Sequence, residues 1–331
     1  MNPTSTSPEI GLIRHEDVVQ PFMLHKSSVR GRMVRLSPVM DTILSRHDHP
    51  AVVKKLLGEL LTLAAMLSAN LPETGILTLQ AKGDGPIRFV VVDAVHGGGL
   101  RGYADLAEGS HAALEALSAS EETADLAALM GSGYLAITLD VGYGEPYQGI
   151  VPLEGDSMAD AVQHYFTQSQ QIDVLFNLAV HSRTAKDGHK QWLAGGIMLE
   201  RMPEEGGIPL EPQEGSRVFR AQPISAEESL HGWSYNALLV ETATEEELLD
   251  PHLAPSALLY RLFNEAGVWV HETKTVSAHC RCSRQKIAGV LTSLGSAALQ
   301  DMKEDGVIRV TCQFCNHEEI FADADITAPP V

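Results

Sequence analysis

Cys280, Cys282, Cys312 and Cys315 are the only cysteines of the chain, and all four lie in the last sixth of its 331 residues. They form two pairs, Cys280-Arg281-Cys282 and Cys312-Gln313-Phe314-Cys315, separated by 29 residues. Thiols one or two residues apart can turn toward one point, and two such pairs supply the four thiolates of a closed tetrahedral zinc site. The alternative is a pair of local disulfides. A permanent Cys280–Cys282 bridge would be strained and easily reduced, because an extended Cys-x-Cys holds its Cα atoms near the limit a disulfide tolerates; a Cys312–Cys315 bridge would strain less. His279 and His317 flank the cluster as substitutes for a thiolate, but four sulfurs already complete the tetrahedron.

Charge narrows what such a site can serve. With 43 acidic against 24 basic residues the formal charge is −19, which repels phosphate backbones and anionic membrane surfaces. Neither nucleic acid nor membrane is expected as a partner. Residues 1–10 lack the basic run and apolar core of a secretory signal, and the most apolar stretch, residues 52–71, is interrupted by Lys54, Lys55 and Glu59. A cytoplasmic protein is expected, and in a reducing compartment clustered cysteines favour metal or redox chemistry.

The remaining chain reads as α+β. Residues 22–35 suggest an entering strand. Val52, Val53, Leu56, Leu57, Leu60, Leu61, Ala64 and Leu67 recur at helical spacing and predict a long core helix before Pro72. Residues 76–81 and 87–93, on either side of Gly83-Asp84-Gly85-Pro86, predict a hairpin. A phosphate loop would need a helix after those glycines, whereas a β-branched run follows. Gly97-Gly98-Gly99 predicts a turn into a strand at residues 100–104. Further strands are expected at residues 134–141, 147–153 and 192–199, with helical spacing over 157–178. Antiparallel strands with a few packed helices make a core domain over residues 1–203. Asp93, Asp140, His96 and His164 are scattered, and no nucleophile, base and orienter stand in recognisable order, so no catalytic residue is assigned and the chain is not read as an enzyme.

Residues 204–214 are rich in Pro, Gly and Glu and mark a boundary. The linker, residues 204–266, carries short helical signals: a capping-box pattern at Ser225 and Glu228, a second at Thr244 and Glu247, and a third run, Ala257 to Phe263, started by Ser256 and lying before Gly267. Leu230, Trp233, Leu238, Leu239, Leu248 and Leu249 lie there among many carboxylates. Short helices of this kind are stable only when docked. The C-terminal module, residues 267–331, predicts a helix over 283–294, a short helix from Ser296, a turn at Asp305-Gly306, and strands at 307–311 and 318–321. So few residues bury too little surface to fold alone, and zinc would supply the missing free energy, about 10 kcal/mol or more.

These features suggest a switch. Thiolates can be oxidised, which would destroy the ligand set, expel zinc and withdraw docking from the linker. Its leucines, and the core surface beneath, would then be open to other exposed apolar chains.

Cys280-x-Cys282-Ser283-Arg284 and Cys312-x-x-Cys315, together with Gln80-x-x-Gly83-Asp84-Gly85-Pro86, Arg101-Gly102-Tyr103, Tyr147-Gln148-Gly149-Ile150-Val151 and Ala194-Gly195-Gly196, resemble the heat-shock protein 33 family of redox-regulated chaperones. The likeness runs from about Phe22 to Ile326. It implies a cytoplasmic bacterial holdase that is inactive and monomeric when reduced with one Zn2+ on Cys280, Cys282, Cys312 and Cys315. Under oxidative and unfolding stress, the resemblance implies disulfides Cys280–Cys282 and Cys312–Cys315, zinc release, linker unfolding, homodimerisation and capture of unfolding client proteins. Those clients would then pass to ATP-dependent foldases. Two departures stand out: Ser169-Gln170-Gln171 replaces the family's usual Ser-Glu-Gln, and the linker is longer and more acidic.

Two other readings remain. A zinc ribbon could bind nucleic acid through Arg281, Arg284, Lys286 and Arg309, which the acidic balance opposes. An enzyme with a purely structural zinc would keep its turnover after serine replacement of the cysteines.

Overall fold

The computed structural model describes residues 15–24, 27–120, 124–185, 188, 190–202, 226–294, 296–322 and 325–326. The N-terminal leader, the boundary at 204–214, the Ser225/Glu228 capping pattern and the Leu230 side chain lie outside them.

The expected α+β class is what the chain forms. In order, its elements are β1 (Val18–Leu24), β2 (Val29–Leu36), α1 (Pro38–Leu44), α2 (Ala51–Leu67), β3 (Ile76–Gly83), β4 (Ile87–Val95) and β5 (Gly99–Leu106). There follow α3 (His111–Ala119), α4 (Leu126–Met130), β6 (Gly133–Asp140), β7 (Tyr147–Pro152), α5 (Met158–Tyr165), β8 (Val174–Thr184) and β9 (Lys190–Arg201). Three helices come next, α6 (Ala226–Glu241), α7 (Glu245–Leu249) and α8 (Pro255–Phe263), then three short strands, β10 (Val268–Val270), β11 (Lys274–Thr275) and β12 (Ser277–Ala278). The C-terminal part is α9 (Arg284–Ser293), α10 (Ser296–Asp301), β13 (Lys303–Glu304), β14 (Val307–Thr311) and β15 (Glu318–Phe321).

Two large sheets enclose α2. The first runs β10-β1-β2-β9-β8, with β11 also on β1; the second runs β12-β5-β4-β3-β6-β7. Pairing is antiparallel except between β12 and β5. Helix α2 is apolar nearly all round, as a helix covered on both sides must be. Its Leu57, Leu60, Leu61 and Ala64 share one core with Val34, Leu36 and Met198 of the first sheet and Leu79, Val90 and Val92 of the second.

The opposite face of the first sheet is also covered. There Phe22, Leu24, Met33, Ile197 and Leu199 pack against Val240, Leu248, Leu258, Leu259 and Phe263 of α6 to α8. A strand buried on both faces leaves little room for side chains, which explains Gly195-Gly196. A Cβ on Gly195 would stand 2.2 Å from the Leu248 carbonyl oxygen of α7, and one on Gly196 would stand 2.7 Å from the Leu178 Cβ.

Several expectations need correcting. Residues 22–35 are two strands of a hairpin, β1 and β2, because alternation continues on both sides of the turn. Helical spacing over 157–178 ends early: α5 passes into a π-helical turn, Phe166–Gln170, Gln171 adopts a left-handed φ of 55°, and the chain emerges as β8. Register with β9 over eleven residue pairs decides that outcome. The third linker run begins at Pro255, where proline takes an early helix position that needs no N–H, rather than at Ser256. Thr244 and Glu247 do form the expected reciprocal capping box.

Candidate metal centre

Strand β12 delivers the chain to Cys280 and Cys282. Ser283 then starts α9, its Oγ accepting the Lys286 N–H at 3.3 Å. The second pair sits where β14 turns back toward β15. There the Cys312 N–H donates to the His317 carbonyl (3.0 Å) and the Asn316 N–H to the Cys312 carbonyl (2.8 Å). Asn316, at φ 58°, allows that tight return. The module's own core is small: Leu291, Ile308, Phe321 and Ile326.

All four sulfurs lie within 4.8 Å of one another. Cys280 Sγ is 3.7 Å from Cys312 Sγ, and Cys282 Sγ is 3.4 Å from Cys315 Sγ. A tetrahedron with metal–sulfur arms of about 2.3 Å has edges of about 3.8 Å, so the donor set fits a zinc-sized ion in a four-thiolate shell. None of the four is bridged. Burial raises the Cys280 thiol, but the Cys282 N–H and the sulfurs of Cys282, Cys315 and Cys312 outweigh it and bring it down to about 7. Burial first, then neighbouring sulfurs, pushes Cys282 above the ordinary thiol range, and burial raises Cys315. One thiolate sharing the protons of its neighbours is a cluster ready to lose those protons to a cation.

His279 and His317 stand apart from the sulfurs. The His317 ring meets Glu319 at 3.2 Å, and His279 lies against Gly99 of β5. Among the described residues the cysteines are the one group spaced to hold a metal.

The cluster is docked on the second sheet. Arg101 of β5 points its guanidinium at Cys280 Sγ (4.0 Å) and covers the Phe314 ring, 3.9 Å from the centroid. Its Nε donates to Asp93 of β4 at 2.7 Å, and Arg281, between the first two cysteines, donates to the same carboxylate oxygen. Asp93 is 4% exposed. Burial would raise its carboxyl, but donation from Thr78, Arg281 and Arg101 holds it below the usual range. Arg46 donates to the Phe314 carbonyl (2.9 Å), His47 contacts the Gln313 carbonyl (2.6 Å), and Asn316 donates to the Arg46 carbonyl. Tyr103 packs between His47 and Phe314. This wall is not readable from spacing: Arg101 and Asp93 meet only because they are cross-strand partners in the β4–β5 register. The alternation of Arg101 and Tyr103 on one strand face was the single available clue.

Other sequence candidates have local work. His96 bonds to the Leu71 carbonyl, Asp140 accepts from the Gly142 N–H, and His164 meets Glu154. The Gly83–Pro86 turn closes on the chain after α4, the Gly85 N–H donating to the Met130 carbonyl and Asp84 accepting from the Ser132 N–H. Of the basic residues a nucleic-acid reading would use, Arg281 meets Asp93, Arg284 meets Glu319 and Asp325, Arg309 meets Glu318, and the exposed Lys286 donates to the Arg281 carbonyl.

Comparison with known proteins gives the same outline. A family model described as "Hsp33 protein" matches residues 17–322. A 33 kDa chaperonin of Caulobacter vibrioides is 37% identical over 315 residues, which is 95% of this chain and 96% of the relative. One from Nitrosococcus oceani is 33% identical over 319 residues, covering 95% and 94%. The crystal structure of a 33 kDa chaperonin (heat shock protein 33 homolog) from Thermotoga maritima aligns with a TM-score of 0.71 at 24% identity, over 94% of this chain and 96% of that one, so the fold is shared. With the family model matching residues 17–322 and relatives named chaperonins matching almost its whole length, the chain belongs to the Hsp33 family of chaperones, a non-enzyme family.

Proposed function

We propose that the protein is a redox-controlled holdase. The observation that carries this reading is the layering of the first sheet: its outer apolar face is covered by α6 to α8, helices joined to the thiol cluster through the edge strands β10 to β12. In the reduced state Cys280, Cys282, Cys312 and Cys315 hold one zinc ion, which bound would act as a structural crosslink between the two knuckles. Peroxide takes two electrons from each pair: one thiolate attacks a peroxide oxygen and releases hydroxide, and its neighbour displaces a second hydroxide from the sulfenic acid to form a disulfide. Pairing within each knuckle, Cys280–Cys282 and Cys312–Cys315, follows the resemblance to the family. The module then loses its crosslink and its seat on Arg101, Asp93 and His47. Without that anchor α6 to α8 undock, and Phe22, Met33, Ile197 and Leu199 become available to unfolding proteins in the cytoplasm. The oxidised form dimerises and hands its clients to ATP-dependent foldases.

The test is light scattering from a heat-denaturing reporter protein, with this chain either reduced and zinc-loaded or treated with peroxide at mildly raised temperature, while zinc release is followed with a chromogenic chelator. Suppression should appear only after oxidation and rise with zinc release. Equal failure in both states would overturn the reading.

A further inference from the structure

Between α8 and Cys280 the chain runs as a strap along the free edges of both large sheets. Residues Val268–Val270 pair with Leu24, Met23 and Phe22, Lys274–Thr275 with Val19 and Val18, and Ser277–Ala278 with Gly99 and Leu100. Further backbone bonds join these pairs: His271 N–H to the Pro21 carbonyl (2.9 Å), Val276 N–H to Asp17 (2.8 Å), Ser277 N–H to Gly98 (2.9 Å) and His279 N–H to Leu100 (2.8 Å). Some of the strap's side chains also hold it: Thr273 donates to the Gln20 side chain at 2.7 Å, Lys274 to the Ala69 carbonyl, and Val268 and Ala278 pack against the two cores. Within residues 268–278 the one buried side chain is Val276, 7% exposed, whereas Trp269 and Val270 are 41% and 44% exposed. Val276 packs into the core between the sheets, and beside it a cleft of about 510 Å3 is lined by Val19, Leu71, His96 and Leu100 of the core together with strap residues 272–276.

Main-chain bonds along an edge and one apolar pocket beside it are the elements of peptide recognition by strand addition. Backbone bonding accepts any sequence in extended form, and the pocket asks for one small or β-branched apolar residue. Both ends of the strap join parts whose docking is conditional: α8 on one side, the cysteine cluster on the other. We propose that the edges of β1 and β5 with this cleft are a client-binding site, occupied in the reduced chain by residues 268–278 and, once the strap is released, by an extended apolar-anchored segment of an unfolding polypeptide. This rests on the redox-controlled chaperone reading and names the form in which a client binds. The present occupant argues for it: an extended segment, bonded through its main chain along both edges and anchored by the buried Val276, already lies there.

A fluorescein-labelled peptide of residues 267–279 tests this, alongside the same peptide carrying Val276→Asp. Each is titrated with the full chain, reduced and zinc-loaded or peroxide-treated, and followed by anisotropy. The oxidised chain should bind the natural peptide at least about tenfold more tightly than the aspartate version, since the apolar space that Val276 fills would have to take up a charge. The reduced chain should bind neither, and an unfolded reporter protein should displace the peptide. Equal affinity for the two peptides, or no displacement, would overturn the inference. If aggregation is suppressed while the peptides are not discriminated, the chaperone reading stands and the edge site falls. Discrimination without suppression keeps the site and sinks the chaperone reading. Loss of peptide binding as the chain dimerises would assign the edges to the strap of a second copy, which overturns the client assignment.

Discussion

Serine at position 312 removes one corner of the sulfur tetrahedron, and a hydroxyl is a far poorer donor to zinc than a thiolate. Cys312→Ser should therefore weaken zinc binding by more than the about 10- to 100-fold that losing an outer-shell partner costs, measured by competition with a chromogenic chelator. Zinc retained at wild-type affinity would overturn the ligand assignment. A second residue acts through pH. Glu59 of α2 is enclosed, accepts the Ala159 N–H at 3.0 Å, and is pushed by burial first, and by Asp160, from 4.5 to about 7, with Lys55 opposing. Between those two values the folded chain keeps a proton that the unfolded chain has released, so stability falls as pH rises through this window and is level above it. Glu59→Gln keeps an acceptor and removes the slope. In urea titrations the variant should match the wild type near pH 4.5 and exceed it by about 3 kcal/mol at pH 8. Parallel curves across the range would show that Glu59 does not titrate in the fold. Residue-level legibility follows the same division. Cysteines announce themselves by type and spacing, whereas Asp93, Arg101 and His47 are ordinary until sheet register and a loop bring them to the sulfurs.

Among the elements, α2 and the β3–β4 hairpin were legible because an unbroken apolar period and a Gly-rich turn admit one reading. Strand β8 was not, since its apolar residues suit a helix equally well until a left-handed Gln171 and pairing with β9 are known. The docking of α6 and α7 was hidden for a different reason: it depends on core side chains that cap linker helices from outside. Asn177 of β8 donates to the Val240 and Ala243 carbonyls at 2.7 and 3.0 Å. Arg35 of β2, 2% exposed, donates to the carbonyls of Leu248 (3.0 Å), Leu253 (2.6 Å) and Glu247 (3.1 Å). Helix ends leave carbonyls without intrahelical partners, so these bonds tie the linker's fold to the core. Burial lowers the Arg35 guanidinium to about 10, and Asp250 and Glu16 oppose that fall, so it stays charged at neutral pH. Arg35→Met fills similar space but abandons three carbonyls, and linker docking should weaken by about 2–4 kcal/mol. Amide exchange over residues 240–263 should accelerate in the reduced, zinc-loaded variant, and client capture should begin without oxidant. Unchanged exchange there would mean that apolar packing alone holds the linker.

At the scale of the molecule, stability is unevenly distributed. The two-sheet core buries dozens of apolar side chains around α2, whereas the C-terminal module's own core cluster has four buried ones among the described residues. A core of that size cannot offset the chain entropy of α9, α10 and the β13–β15 sheet, so the crosslink through the sulfurs has to carry the module. No helix of the described residues is long and apolar enough to cross a membrane, and the net charge of −19 adds self-repulsion that a weakly held part feels first. Stripping zinc with a strong chelator under reducing conditions should therefore split calorimetric unfolding into two transitions. The lower would belong to the module and the linker seated beside it, and the upper, unaffected by zinc, to the two sheets and α2. Readdition of zinc should merge or close the gap between them, while the upper transition keeps its midpoint. A single transition that shifts as a whole with zinc would place the metal's free energy in the entire fold. The strap along β1 and β5 would then transmit it to both sheets, and release of the linker could not occur while the core stays folded.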